Sequence, residues 1–298
     1  MRMRVLLIGG TGFVSGRVLR FALANKHTVI AITRGKSSLQ EAKRLTHIIA
    51  DRDVDDLIKH CSGFEFDVVI DAICKTESHA KQSVNLARKC RRVIMVSSEY
   101  AYDPDSRLLE MRENEAVFSI RNDYGGDKYR AEKIFLEGKG KNLVDATILR
   151  PAHIYGPGSL PGTIPKHGRS SKLLDDIQNG RTLHLLHGGL GLIQPIHADD
   201  FARIVLKILD KRESYRQDYN CVGPELMTHL LYYQTLAKVL HKELKVIPYC
   251  PKNDSKNVSD YVKNHRYYSA EKLNLLLPNF KYTPFEDGMR AWVKHLSD

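Results

Sequence analysis

The chain has 298 residues, 42% of them apolar and 27% charged, which supplies enough apolar material for a buried core and excludes global disorder. Its formal net charge of +11 attracts anions such as phosphorylated cofactors, nucleotide-linked substrates or nucleic acid, or else simply gives a solvated basic surface. No window approaches the roughly 18–20 apolar residues of a membrane span. Cys61, Cys74, Cys90, Cys221 and Cys250 form no C-x-x-C pair, so reduced thiols in a cytoplasmic protein without a structural metal are expected.

The opening run MRMRVLLIGG is too short for a secretory segment and ends in glycines, so Val5–Ile8 reads as a first strand. Thr28–Thr33, His47–Ala50, Asp67–Ala72, Val93–Ser97 and Val144–Leu149 are further short, apolar, β-branched runs. Between them, Phe13–Ala24, Ser37–Leu45, Asp53–Cys61, Glu77–Cys90 and Tyr124–Leu136 have helical spacing. This alternation predicts an α/β fold, a Rossmann-type doubly wound parallel sheet in the order 3-2-1-4-5-6, with residues 1–155 as the dinucleotide-binding domain. After Pro151 the texture changes. Gly156 to Gly168 is crowded with Gly and Pro, and helical patterns return at Phe201–Leu209, Leu226–Leu240 and Phe285–Leu296. Residues 156–298 therefore read as a smaller C-terminal substrate-binding lobe, partly interleaved with the sheet. The stretch from Lys238 to Arg266 is rich in Lys and His but has few aromatics before Tyr267 and Tyr268, which weakens it as a nucleic-acid patch.

Gly9-Gly10-Thr11-Gly12-Phe13-Val14-Ser15-Gly16 joins the first strand to the first helix. Gly9 permits a tight turn, Gly12 lets a pyrophosphate approach the backbone, and the helix N-terminus offers N–H groups and partial positive charge. Gly9, Thr11, Gly12, Phe13 and Val14 are thus candidate cofactor contacts. Ser15 stands where the third glycine of the dinucleotide fingerprint falls, and it is small enough for close helix–strand packing. After the second strand, Arg34 and Lys36 take the place of the acid that binds a ribose 2′-hydroxyl, which favours the 2′-phosphate of NADP over NAD. Asp51, Arg52 and Ala72, at the ends of the third and fourth strands, complete the cofactor set. Asp51 is also a candidate helix cap.

Tyr124-Gly125-Gly126-Asp127-Lys128 has Y-x-x-x-K spacing, which puts a phenol and an ammonium on one helix face. A nearby ammonium favours the phenolate and lowers its pKa, making tyrosine a usable general acid/base. Ser98 follows the fifth strand, where a hydroxyl points into the crevice used by ligands in such sheets. It is a candidate to orient the reacting oxygen, or a strand-end cap.

YGGDKYRAE, ILRPAHIYGPG, QPIHADDFARIVLKIL, YNCVGPELMT and YYSAEKL…YTPFEDGMRAWV resemble successive landmarks of the extended short-chain dehydrogenase/reductase family, also called NAD-dependent epimerase/dehydratases, over nearly the whole chain. The resemblance implies Ser98, Tyr124 and Lys128 as a catalytic triad, with Pro151 to Ile154 beside the nicotinamide. It implies hydride transfer at a hydroxyl or keto carbon, with a sugar nucleotide as substrate and epimerisation or reduction as outcome. It also implies a homodimer through a four-helix bundle built from the Glu77–Cys90 and Tyr124–Leu136 helices. TRGK and ADRD in the N-terminal half resemble an atypical branch that includes chloroplast stem-loop RNA-binding proteins, many of which lack the active-site residues that this chain keeps. An RNA-binding protein and a non-catalytic NADP(H) sensor are the rival expectations.

Two departures bear on the substrate. The family's diphosphate-gripping arginine is missing near Ile193 and Gln194, with Lys166, Arg169 or Lys172 as candidate substitutes. The adjacent acids of the 4,6-dehydratases are represented by Glu99 followed by Tyr100, which leaves elimination half equipped. Glu99, His153 and Arg169 are the candidate substrate contacts. His197, Asp199 and Asp200 read as structural, with one of the acids capping the Phe201 helix.

Overall fold

The computed structural model describes residues 1–137, 144–164, 167–250 and 264–297. Its first half alternates strands and helices: β1 Arg4–Ile8, α1 Ser15–Ala24, β2 Thr28–Thr33, β3 Leu45–Ile49, α2 Leu57–His60, β4 Val68–Asp71, α3 Glu77–Ala87, β5 Arg92–Val96, α4 Tyr124–Glu137 and β6 Asp145–Pro151. The second half contributes β7 Ile154–Tyr155, α5 Leu173–Gln178, β8 Leu183–Leu186, β9 Leu192–Ile193, β10 Ile196–His197, α6 Ala198–Lys207, β11 Gln217–Cys221, β12 Met227–Thr228, α7 His229–Val239, β13 Val246–Tyr249, α8 Glu271–Leu276 and α9 Phe285–Ser297.

Seven of these strands form one sheet in the order β11-β6-β5-β4-β1-β2-β3, and every pairing is parallel. The expected order of the first six holds, and β11 extends it from the C-terminal half. Both faces of the sheet are covered at its centre, so β1, β2, β4 and β5 are aliphatic on both sides. Val5 and Leu7 of β1 join one core with Val18 of α1 and Phe201 of α6, whereas Leu6 and Ile8 join another with Leu86 of α3 and Phe135 of α4. A third core, including Leu185, Tyr232, Tyr233 and Trp292, organises the C-terminal lobe. Among the described residues no helix is long and apolar enough to cross a membrane.

Two expected helices differ. Ser37–Leu45 forms no helix, and Leu45 already belongs to β3, paired with Val29. The segment stays exposed or half-exposed, so no buried face offsets the cost of nucleating a short helix. Asp53–Cys61 shrinks to α2, because aspartates upstream capture backbone amides. Asp55 accepts from Asp51 N–H at 2.7 Å, Asp51 accepts from Asp53 N–H at 3.1 Å, and Asp56 caps the helix through Ile58 N–H at 2.9 Å. Of the Lys- and His-rich stretch, residues 251–263 lie outside the described residues, as does Lys166.

The start of α4 is fixed by close backbone approach. Asp123 accepts the Gly126 N–H at 3.0 Å, and a Cβ added at Gly126 would fall 1.8 Å from the Arg121 carbonyl oxygen. Gly126→Ala is therefore expected to lower stability by about 1–3 kcal/mol, read as an earlier urea midpoint. An unchanged midpoint would contradict this packing.

Candidate active site

The turn after β1 uses glycine where the backbone demands it. Gly9 and Gly10 have φ of +115° and +144°, values that L side chains rarely adopt. Ser15 serves in the third-glycine position. It is buried, its Oγ accepts the Gly12 N–H at 3.1 Å, and a Cβ built on Gly9 would lie 3.0 Å from its own Cβ. α1 has no side-chain cap and no acid in its first turn, so its positive end stays open to an anion. Sequence reasoning missed Arg17, which braces this turn. Its guanidinium lies 4.6 Å from the Phe13 ring centroid, donates to the Phe13 carbonyl at 2.8 Å and pairs with Asp199 at 2.7 Å.

A cavity of about 170 Å³ opens where β1, β2 and β3 end, with Ile8, Ile32, Arg34 and Asp51 in its wall. Lys36 is exposed and is not among the lining residues, contrary to expectation. Arg52 lines this cavity, and its buried guanidinium donates to Asp71 at 2.9 and 3.1 Å and to the His79 carbonyl at 2.8 Å, bracing β4 against α3. Lys75 and His79 also line this cavity and were not anticipated. His79 Nε2 lies 2.6 Å from Asp53.

A second pocket, of about 340 Å³, lies at the ends of β4, β5 and β6. It gathers Ser98, Tyr124 and Lys128, separated in the chain but joined in its wall, together with Val14, Ala72, Pro151 and Ile154. Ser98 also caps the turn after β5, its Oγ accepting from Tyr100 N–H at 3.2 Å, as the capping alternative expected. Tyr124 stands edge-on to Tyr100, with centroids 6.1 Å apart.

The electrostatics of this pair differ from expectation. The Lys128 ammonium is buried, donates to the carbonyls of Cys74 at 2.5 Å and Val96 at 3.0 Å, and lies 5.7 Å from the centroid of the Tyr124 ring. Burial pushes the Tyr124 phenol above its ordinary pKa. Ser98 and the charge of Lys75 pull the other way without reversing it, and Lys128 is not among the groups that lower it. Burial likewise lowers Lys128, against the opposing influence of Cys74, Asp71 and Glu132.

Behind the pocket, α4 presents Tyr124, Lys128 and Glu132 at helical spacing on one face. Glu132 and Arg150 are fully buried and paired at 2.7 Å, and Arg150 also reaches Asp218 of β11 at 2.7 Å and the Tyr102 hydroxyl at 3.0 Å. Ser97 donates to Glu132. This network, which sequence reasoning missed, ties the helix carrying the phenol to β5, β6 and β11.

Glu99 lines the pocket, but its carboxylate is already engaged. Arg266 Nε donates to it at 3.1 Å, a second Arg266 nitrogen pairs with its other oxygen, and the Tyr268 hydroxyl donates to it too. Burial alone would raise its pKa, but the charge and hydrogen bonds of Arg266, the charge of Arg107 and the Tyr268 hydroxyl together outweigh burial and hold the carboxyl below the usual range. Glu99 thus reaches the pocket wall with its carboxylate already engaged, and Arg266 is a lining residue that sequence reasoning did not find. His153 is buried in the same wall, and burial followed by the charges of Arg266 and Arg169 keeps it well below an ordinary imidazole, so it stays neutral. Arg169 lines the pocket from an exposed loop, donating to the Ile154 carbonyl at 3.4 Å, whereas Lys172 is exposed and outside the lining.

Gln194, where the diphosphate arginine was sought, is a structural clamp. It donates to the Gly223 carbonyl at 3.1 Å and accepts from Tyr268 N–H at 3.3 Å. The cap of α6 is His197, whose Nδ1 accepts from Asp199 N–H at 3.3 Å, and not one of the acids. Asp199 instead holds Arg17 and Arg20, and Asp200 holds Thr283 through its N–H at 2.7 Å.

A doubly wound parallel sheet, a glycine turn with an open helix end and a Ser–Tyr–Lys set at the strand ends together define a protein of the dinucleotide-binding class. Residues 5–221 match the model of the NAD dependent epimerase/dehydratase family, and the chain belongs to that family. It is 25% identical over 296 residues to the chloroplast stem-loop binding protein of 41 kDa b of Arabidopsis thaliana, covering 92% of this chain and 74% of the relative. Among solved structures, an epimerase of Methanothermobacter thermautotrophicus superposes with a TM-score of 0.81 at 15% identity, covering 99% of this chain and 92% of that one. The UDP-glucose 4-epimerase of Thermotoga maritima superposes with a TM-score of 0.79 at 18% identity, covering 99% of both chains.

Proposed function

We propose that this protein is an NADP(H)-dependent oxidoreductase that moves hydride at a hydroxyl- or keto-bearing carbon of a sugar nucleotide, by epimerisation or reduction. The observation that carries this reading is the convergence of Ser98, Tyr124 and Lys128 on one pocket beside Val14, Ala72, Pro151 and Ile154. A bound nicotinamide supplies the hydride donor or acceptor. The strained Gly9–Gly10 turn and the uncapped end of α1 suit its phosphates. Tyr124 exchanges a proton with the substrate oxygen, Ser98 orients that oxygen, and the Lys128 ammonium would hold the cofactor's ribose hydroxyls. Glu99, kept as a carboxylate by Arg266, does not donate protons, which argues against elimination.

Arg34, beside Lys75 in the first cavity, is the group expected to meet a 2′-phosphate. Fluorescence titration should then find NADPH bound at least about tenfold tighter than NADH. Arg34→Ala should remove that advantage and leave NADH unchanged. Equal affinity for both dinucleotides in the wild type would overturn the NADP preference, and binding of neither would overturn the oxidoreductase reading. α3 and α4, packed side by side on one face of the sheet, are the proposed pairing surface of a homodimer.

A second reading rests on the Arabidopsis relative, whose name assigns it stem-loop binding, and on the +11 charge. It calls for RNA affinity that falls steeply with salt and is indifferent to Tyr124→Phe.

A further inference from the structure

The loop that follows β7 forms part of one pocket and is held from the other. Ile154 lines the pocket that gathers Ser98, Tyr124 and Lys128, and its carbonyl accepts from Arg169 at 3.4 Å. A few residues on, the Pro157 carbonyl accepts from Arg17 of α1. Gly158 lies against the same turn, since a Cβ added there would come 3.7 Å from the Phe13 ring and 3.8 Å from an Arg17 terminal nitrogen. A wall segment of the second pocket thus rests on the glycine turn that suits the cofactor's phosphates.

Arg17 directs its donors to three different elements. They reach the Phe13 carbonyl inside the turn at 2.8 Å, Asp199 at the start of α6 at 2.7 Å, and Pro157 in the loop. β7 pairs with β10, and β10 runs straight into α6, so Pro157 and Asp199 flank one small unit that Arg17 ties to α1. A planar guanidinium can hold three acceptors in fixed directions, which a compact ammonium does less well. Charge matters here too. Arg20 shares Asp199 at 2.8 Å, so two guanidinium groups lean on one carboxylate. Burial lowers the Arg17 pKa, Asp199 opposes that shift without reversing it, and Arg20 adds to it. A phosphate seated at the uncapped end of α1 supplies negative charge close to this cluster and strengthens its hold.

Resting on the dinucleotide reading above, we propose that Arg17 is a positioning residue: phosphates seated on the Gly9–Val14 turn act through its guanidinium to tighten residues 154–159, so cofactor binding firms the wall of the substrate pocket. By linkage, substrate binding tightens the cofactor by the same factor.

The test is hydrogen exchange read by mass spectrometry on the whole chain, alone and saturated with NADPH or with 2′-phospho-ADP-ribose. The second probe keeps the adenosine, its 2′-phosphate and the diphosphate but lacks the nicotinamide ring. It has no ring to lay against Ile154, so slowing there must arrive through the protein. In the wild type both ligands should slow exchange at residues 9–16 and, by at least about fivefold, at residues 154–159. Arg17→Lys keeps the charge without the fork. It should retain the slowing at residues 9–16 and lose it at residues 154–159, and Arg17→Met should lose it there as well. A purely structural brace would change exchange in free and bound protein alike, leaving the ligand-induced difference intact. Slowing at residues 154–159 that persists in either variant would therefore overturn the proposal. So would wild-type slowing confined to residues 9–16, or slowing at residues 154–159 by NADPH alone. If neither ligand slows exchange at residues 9–16, the dinucleotide reading itself fails, and the proposal with it.

Discussion

Replacing Tyr124 with phenylalanine is expected to cut turnover by about 10²–10⁴-fold while leaving NADPH affinity within about twofold of the wild type. Phenylalanine keeps the ring that stands edge-on to Tyr100 and above the Lys128 ammonium, so the pocket wall survives. What is lost is the hydroxyl proposed to exchange a proton with the substrate oxygen. In the reduction direction the phenol must be protonated. Burial raises its pKa above that of an ordinary tyrosine, so kcat/KM should stay flat through neutral pH and fall on the alkaline side. The checks are NADPH oxidation with keto sugar nucleotides and a parallel binding titration. Full activity in Tyr124→Phe would remove the phenol from the mechanism.

The largest expected effect on stability lies behind the site. Arg150→Met leaves the buried carboxylate of Glu132 without its guanidinium and is expected to cost about 3–5 kcal/mol. Asp218 retains Lys272 at 3.2 Å and suffers less. Arg150→Met/Glu132→Leu removes both charges together and should recover most of the loss, since the expensive state is one buried charge alone. Urea unfolding of the single and paired variants measures this directly. A loss below about 1 kcal/mol in Arg150→Met would show that the pair does not hold α4 against β6.

Much of this architecture was legible because sheet and helix obey different periods. The aliphatic runs of β1, β2, β4 and β5 are buried on both faces, and such runs alternating with amphipathic segments permit few topologies. β11 was not legible as a strand because QDYNC is polar. Its Asp218 and Asn220 are satisfied by Arg150 and by the Tyr102 hydroxyl, partners that only the fold supplies. The misjudged helices failed locally, one for want of a covered face and one because aspartate side chains captured its amides. In the site, Ser98, Tyr124 and Lys128 were readable because spacing and position after a strand encode them. Arg266 was not, since it lies 167 residues from the Glu99 it holds and carries no local pattern. Nor does sequence spacing reveal that Lys128 faces two carbonyls and the ring instead of the phenol oxygen.

The most direct measurement is a crystal structure of the protein with NADPH bound. The account predicts the phosphates over the Gly9–Gly12 turn and the nicotinamide ring against Pro151 and Ile154, its reactive carbon open toward Ser98 and Tyr124. A dinucleotide whose ring sits elsewhere, or crystals that take up none at saturating concentration, would contradict it.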